Sequence, residues 1–413
     1  MVLWTWGANS HGQLALNLVS EQVEKPTKVS IPFYNCEVKQ IACGGGHTLL
    51  LDADGRLFSC GWNSKLQLAT DTEVHTFERT WSLSGITFTN ISCGWDFSCG
   101  VTDDQFLFVW GSNSHGQLGL PKEHFSNFVK PIRLQVNAMV VSMGLRHTAI
   151  INSKGEVWIT GCGKYGQLGL GKDILSVDRF TKVPNIGKMS HIACGQKHTV
   201  AWSTDQNALY VWGDNKHGQL VLNTEKYSKI FTPQKIDIDV KHPVKKLLTG
   251  WTNVLLWLED GRLFTWGRNN YGQIGGNDSV GQKTLIKLPV YMRVFNLIYR
   301  NLMYMKFVKL HIETLQNVSL KLKLFCILNY LFSDGRKVKD VALGSEHTIC
   351  LATDNSLWAW GWNEHSNTGI QSERDIFLPT LVPVETTTTI SKIYAGGAHN
   401  FIVVDDEGDS ECL

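Results

Sequence analysis

The chain has 413 residues, 43% of them hydrophobic and 18% charged, and its formal net charge is +2. That balance excludes a disordered polyelectrolyte, provides no overall charge for holding nucleic acid, and leaves enough apolar residue to bury a large core. Ten cysteines without a Cys-x-x-Cys pair exclude the usual zinc-ribbon and dithiol motifs.

The first predicted element is the β-type strand Val2-Leu3-Trp4-Thr5-Trp6, which runs into the phrase Gly7-Ala8-Asn9-Ser10-His11-Gly12-Gln13-Leu14. The phrase, Gly-x-Asn/Gly-x-x-Gly-Gln-Leu with local departures, starts again at Gly61, Gly111, Gly161, Gly213, Gly267 and Gly361. A second phrase, Gly-x-x-His or a variant, interleaves with it at Gly44, Gly94, Gly144, Gly195, Gly250, Gly344 and Gly396. Further strands are predicted at Leu57-Phe58-Ser59-Cys60, Phe106-Leu107-Phe108-Val109-Trp110 and Leu263-Phe264-Thr265-Trp266. Turn pairs such as Asp54-Gly55, Lys154-Gly155 and Asp260-Gly261 supply the positive φ that tight hairpins need.

Successive Gly-x-x-His copies lie 50, 50, 51, 55, 94 and 52 residues apart. That period is too long for ankyrin or tetratricopeptide units and suits a four-stranded propeller blade. The first strand has no Gly-x-x-His before it, and the last stretch, Lys392 to Asp405, holds Gly396-Gly397-Ala398-His399 but no following Trp-Gly strand. Each end is therefore half a blade. The expected fold is an all-β, seven-bladed propeller spanning 1–413 as one domain, with the N-terminal strand completing the last blade and removing the free sheet edges. Several copies depart from the pattern: Leu66 replaces the phrase glycine, Ser366-Asn367-Thr368 replaces Gly-Gln-Leu, and Cys60 and Thr160 replace Trp. These are read as divergence that weakens local turns.

The long interval between Gly250 and Gly344 locates an irregular insertion at 291–332, without glycine or proline. It is basic and apolar, with Arg293, Arg300, Lys306, Lys309, Lys321 and Lys323 against Glu313. Those charges leave no uncharged run long enough for a transmembrane helix. Three readings stand for it: a basic amphipathic loop touching a membrane surface or a partner, an ordered insertion, or a translated retained intron. The last is preferred because so large an apolar insert is costly to expose.

Nothing in the motifs marks an ordinary catalytic centre, and neither a cofactor nor a metal is expected. Gly166-Gln167-Leu168-Gly169-Leu170-Gly171-Lys172-Asp173 has phosphate-loop spacing but places Asp173 where Ser or Thr should meet magnesium. His47, His147, His198, His347 and His399 hold equivalent repeat positions, where Phe97 and Asn253 replace two of them. Such replacement suits packing better than ligation. Cys43, Cys93 and Cys194 recur just before Gly-x-x-His and are read as small core residues in a reducing compartment, cytosol or nucleus. Asn-x-Ser triplets at Asn90, Asn277 and Asn317 are then incidental, and Cys412 stands outside a prenylation pattern.

Residues shared by all blades serve the blade, so partner binding is expected where copies differ. The x positions read Gly45-Gly46, Trp95-Asp96, Leu145-Arg146, Gln196-Lys197, Trp251-Thr252, Ser345-Glu346 and Gly397-Ala398. Their register places them on one end of the ring, with Trp62, Trp362 and Glu364 of the other phrase. Trp95, Asp96, Arg146, Lys197, Trp251, Glu346, Trp362 and Glu364 are the candidate partner-binding residues. The alternative is that the tryptophans pack between blades and the charges are solvated.

Strings such as Trp4-Thr5-Trp6-Gly7-Ala8-Asn9-Ser10, Cys93-Gly94-Trp95-Asp96-Phe97, Gly144-Leu145-Arg146-His147, Gly344-Ser345-Glu346-His347 and Trp360-Gly361-Trp362-Asn363-Glu364-His365 carry a further signal. Nearly the whole chain resembles the regulator of chromosome condensation (RCC1-like) family of seven-bladed propellers, and these strings are similar to its secretion-linked exchange factors. The resemblance implies docking on a small GTPase, Ran-like or secretory, with Asp96 or Glu346 competing for the GTPase's own lysine. It also implies a restraining role in secretion with contact to an exocyst component. The alternative from the same family is a non-catalytic scaffold or adaptor, for example linked to ubiquitin ligases. Chromatin binding is disfavoured by the near-neutral charge and the missing basic N-terminal arm. A monomer without direct nucleic-acid contact is expected.

Overall fold

Each repeat supplies one antiparallel sheet, and seven such sheets succeed one another along the chain. The computed structural model describes residues 1–29, 37–121, 131–238, 240–276, 337–386 and 388–405. The insertion at 291–332, together with Asn277, Asn317 and Cys412, lies outside the described residues.

The first blade holds Val38–Cys43, His47–Asp52, Leu57–Gly61 and Val74–Arg79. The second, third and fourth repeat this order, beginning at Phe88–Cys93, Val140–Met143 and His191–Cys194. The fifth has three strands among the described residues: Val244–Thr249, Asn253–Leu258 and Leu263–Gly267. The sixth runs from Val338–Leu343 to Ile376–Leu381. In the seventh, the two ends of the chain meet: Ile390–Ala395 and His399–Val404 pair with Val2–Ala8, which pairs in turn with Gln22–Val29. The ring is thus closed by two N-terminal strands, one more than the sequence pattern indicated.

Burial explains why alternation is incomplete. The second strand of each blade is covered on both faces by neighbouring blades, so His47–Asp52, Phe97–Thr102, Asn253–Leu258 and His399–Val404 are buried at every position. First strands show solvent at intervals, as in Val38–Cys43, and fourth strands such as Ser176–Lys182 lie largely at the surface. Trp6, Trp110, Trp212, Trp266 and Trp360 are among the largest fully buried side chains.

The Trp-Gly step is a β-bulge. Ladder register shifts between Ser59 and Gly61, Ile159 and Gly161, Val211 and Gly213, and Ala359 and Gly361. Gly161 has φ +110°, and a Cβ there would lie 2.4 Å from the Arg146 carbonyl, so only glycine fits. The departures at Leu66 and Ser366 preserve the left-handed turn, with φ of +62° and +56°, instead of abolishing it. Among the described residues the one helical element is the 3-10 turn Trp81–Leu83, and no helix is long and apolar enough to cross a membrane.

Candidate partner interface

The seven Gly-x-x-His turns come together around the ring axis and line a cavity of about 140 Å³. Their backbones bond to one another: the Gly397 N–H donates to the Gly44 carbonyl (3.0 Å), Gly45 to Trp95 (3.1 Å), Gln196 to Trp251 (3.1 Å), Trp251 to Ser345 (2.7 Å) and Ser345 to Gly396 (2.9 Å). Within each blade the other phrase is tied to the same turn, as in Trp62 N–H to the Gly46 carbonyl (2.7 Å), Asp214 to Lys197 (2.9 Å) and Trp362 to Glu346 (2.8 Å). Both sets of variable residues therefore share one end of the ring.

The histidines join blades. His47 Nε2 meets Ser98 Oγ of the next blade (2.9 Å), His147 meets Thr199 Oγ1 (3.0 Å), His347 meets Asn400 Oδ1 (2.8 Å), and His399 meets Thr48 Oγ1 across the closure (3.0 Å). The hydroxyl then donates back to a carbonyl of the preceding blade: Thr48 to Gln13 (2.8 Å), Ser98 to Gln67 (2.9 Å), Thr199 to Gln167 (2.9 Å). The same carbonyls accept Trp110 Nε1 at Gln67 (2.8 Å) and Trp212 Nε1 at Gln167 (2.9 Å). Where Trp is replaced, Cys60 Sγ donates to Gln13 (3.5 Å) and Thr160 Oγ1 to the Gly116 carbonyl (2.8 Å), so the donor survives the substitution. The motif glycine makes room for the imidazole, since a Cβ on Gly144 would lie 2.4 Å from the His147 ring. Burial pushes His147 and His347 down to about 4, and His47, His198 and His399 to about 3. All five are neutral at physiological pH, and all but His198 hydrogen-bond through Nε2. Among the described residues no three His, Cys, Asp or Glu are placed to hold a metal ion.

Two blades lack the histidine, and there the charged x residues take over. Asp96, almost fully buried beside Phe97, pairs with Arg146 of the next blade. Glu346, equally buried, accepts Thr252 Oγ1 (2.7 Å) and Gln273 Nε2 (2.5 Å) from the blade carrying Asn253, with Arg268 3.7 Å away. Desolvation raises Glu346 against the lowering effect of Thr252, Gln273 and Arg268. Asp96, Arg146 and Glu346 thus have partners inside the ring. The next-blade position after the motif, occupied by Thr48, Ser98, Thr199 and Asn400, was not singled out from sequence. The recurrent polar residue following His was its available signal.

One seam has neither device. In the blade after His198 the repeat position that carries a hydroxyl or amide elsewhere is Val254, and neither ring nitrogen of His198 has a hydrogen-bond partner among the described residues. Val254→Thr should supply the missing hydroxyl between His198 and the Gln219 carbonyl, raising stability by about 1 kcal/mol. A thermal melt of the variant checks this, and no gain would mean that the seam is already satisfied.

The aromatic candidates are more available. Trp95 and Trp251, from the second and fifth blades, meet over the cavity with ring centroids 5.4 Å apart and are partly exposed. Lys197 and Lys229 both lie over Tyr165, at 4.4 and 4.6 Å from the ring centroid. Trp362 Nε1 donates to exposed Glu364 (3.1 Å), and His11 stacks on Trp62 at 5.3 Å. The glycine-rich stretch around Gly166 commits its amides internally: Gly166 to Gly163 (2.8 Å), Gly169 to Gly166 (2.9 Å) and Gly171 to Phe231 (2.9 Å). Those N–H groups point to carbonyls of the protein, leaving no cradle for phosphate. Cys43, Cys60, Cys93, Cys99, Cys162, Cys194 and Cys350 are free thiols, and burial raises Cys93 and Cys194 to about 12.

Comparison with known proteins agrees with this geometry. The family model described as RCC1-like domain matches residues 2–402. The mouse secretion-regulating guanine nucleotide exchange factor is 31% identical over 400 residues, covering 92% of this chain and 78% of that protein. The ultraviolet-B receptor UVR8 of Arabidopsis thaliana is 27% identical over 390 residues, covering 92% and 77%. Among solved structures, Prp20p from Saccharomyces cerevisiae, described with its binding properties to Gsp1p and histones, superposes with a TM-score of 0.77 at 21% identity over 99% of this chain and 92% of that one.

Proposed function

This chain belongs to the RCC1-like domain family, and from that premise we propose that it regulates a small GTPase as a guanine nucleotide exchange factor, through the end of the ring that carries the Gly-x-x-His turns. The observation that carries the reading is the Trp95–Trp251 pair over the cavity mouth, with Lys197 on the same end. These are residues that the repeat itself does not require, and buried aromatic anchors are what strong interfaces are built on. The similarity to a secretion-regulating guanine nucleotide exchange factor supports a small-GTPase partner and a link to secretion; a GTPase of the Ran or secretory type, action in the cytoplasm or nucleus and contact with an exocyst component belong to the proposal itself. Exchange needs no covalent step. It needs a surface that binds the nucleotide-free GTPase more tightly than the GDP-loaded form, so that GDP leaves.

A second reading, a binding scaffold without exchange activity, is favoured by one observation. The acidic residues of the inner turns, Asp96 and Glu346, already hold Arg146, Thr252 and Gln273. An acidic competitor for a GTPase lysine must come from elsewhere on that end, or GDP release will not be stimulated. Fluorescent GDP release from a panel of purified small GTPases, with this protein substoichiometric, separates the two. Accelerated release with one GTPase, lost in a Trp95→Ala/Trp251→Ala variant that melts normally, is the expected result. Tight binding with unchanged release would establish the scaffold instead.

A further inference from the structure

A groove of about 1030 Å³ opens at the rim of the same end, where the Gly361 phrase and the loop after it meet Glu24 of the outer N-terminal strand and Tyr271 of the preceding phrase. Its walls combine aromatic rings with carboxylates. Tyr271 and Trp362 stand with centroids 6.4 Å apart and planes at 39°. Glu24, Glu364, Glu373 and Asp375 line it against a single guanidinium, Arg374. The Trp362 indole donates to Glu364 Oε2 (3.1 Å), which fixes that carboxylate at the edge of the ring. Asp375 Oδ1 accepts the Asn363 N–H (3.0 Å). Desolvation raises Asp375 from its ordinary value, the Asn363 N–H lowers it, and neighbouring Glu364 adds to the rise. The four carboxylates of the groove outnumber the two guanidinium groups at it, Arg374 in the lining and Arg268 against Tyr271. Its aromatic walls are suited to cations, and Tyr271 already takes the Arg268 guanidinium 4.6 Å from its centroid.

We propose that this groove binds a lysine- or arginine-bearing segment of a partner protein, with one cation against the Trp362–Tyr271 wall and further positive charge on Glu364 and Glu373. Charge complementarity selects this occupant. An acidic or phosphorylated segment would meet charge of its own sign, and an apolar helix would desolvate four carboxylates while adding no counter-charge to Arg374. The proposal stands apart from the exchange reading, because it concerns the rim and not the cavity mouth.

The test uses the whole protein and a fluorescein-labelled peptide of alternating Arg and Gly, followed by anisotropy, with the Glu-Gly peptide as counterpart. Saturable binding of the Arg peptide alone is expected, weakening with added salt. Glu364→Gln with Glu373→Gln should weaken it about tenfold, while Asp205→Asn, on a turn at the opposite end of the ring, should leave it unchanged. The indole resonance of Trp362, assigned with Trp362→Phe, should shift on titration. Equal loss with Asp205→Asn, an unmoved Trp362 resonance, or displacement by spermine at matched charge would overturn the proposal in favour of a diffuse counter-ion cloud. GDP release measured on the same variants keeps the two readings distinct: exchange can fail with groove binding intact, and the reverse.

Discussion

A chain lacking Val2–Ala8 should lose its cooperative unfolding transition at neutral pH and elute as an expanded or aggregated species. The strand lies inside the seventh sheet, not at its edge: Val2 to Gly7 pair with Val404 to His399 on one side, and Leu3 to Ala8 with Val29 to Gln22 on the other. Its side chains reach three blades. Leu3 packs with Val38, Leu50, Phe58, Phe77 and Phe401, whereas Trp4 and Trp6 pack with Ile349, Leu351, Leu357 and Ile402. Thr5 Oγ1 donates to the Asn400 carbonyl (2.9 Å) and Trp6 Nε1 to the Asn367 carbonyl (3.2 Å). Losing one leucine and two tryptophans from such sites costs on the order of 10 kcal/mol, comparable to the whole stability of an ordinary domain. The deletion also exposes the unpaired edge of His399–Val404, which invites association. Circular dichroism during heating and analytical size exclusion read both effects. A synthetic peptide of residues 1–29 added in trans should restore part of the transition. An unaltered melting curve for the deletion would mean that ring closure contributes little.

Acidification should unfold the ring well before the carboxylates titrate. Five buried histidines, His47, His147, His198, His347 and His399, are held far below their ordinary value of 6.5 by desolvation. Below 6.5 the unfolded chain binds protons that the folded one refuses, so stability is fully present above that value and is lost as pH falls toward about 4. Each histidine removes about 2 kcal/mol between pH 7 and 5, and the five together are enough to cancel the stability of a typical domain. Glu346, Asp214 and Asp375, raised by desolvation, contribute slopes of the opposite sign, but three carboxylates do not balance five imidazoles over this range. Urea midpoints measured from pH 8 to 5 should fall steeply below neutrality. His147→Gln, which retains a donor for Thr199, should make that fall shallower by roughly one-fifth. Midpoints that stay level to pH 5 would show the imidazoles to be accessible to protons in the fold.

The candidate site was partly legible. Gly-x-x-His was legible as a repeated phrase, and its glycine proves necessary because the imidazole of the same turn fills the place of its Cβ. The common register of the x residues placed them together, and the backbone bond from Trp362 to Glu346 is one instance of why. What Asp96 and Glu346 do was not legible. Their partners Arg146 and Thr252 are 50 and 94 residues away, and only the stacking of one blade on the next makes them neighbours. The same holds for Trp95 and Trp251, which belong to non-adjacent blades and meet at the axis.

The sequence by itself determined the number of blades, some of the strands and turns within them, and that the two chain ends share the last blade, though not that two N-terminal strands enter it. Those follow from local period, from glycine at bulges, and from hydrophobic residues whose spacing repeats along the chain. Tertiary structure alone decided which polar residues are latches and which are surface. A side chain of given type is latched or unpartnered according to what the adjoining blade presents, as His147 on Thr199 and the unpartnered His198 show. That contact is set across the seam between sheets, where neighbours in space are a full repeat apart in the chain.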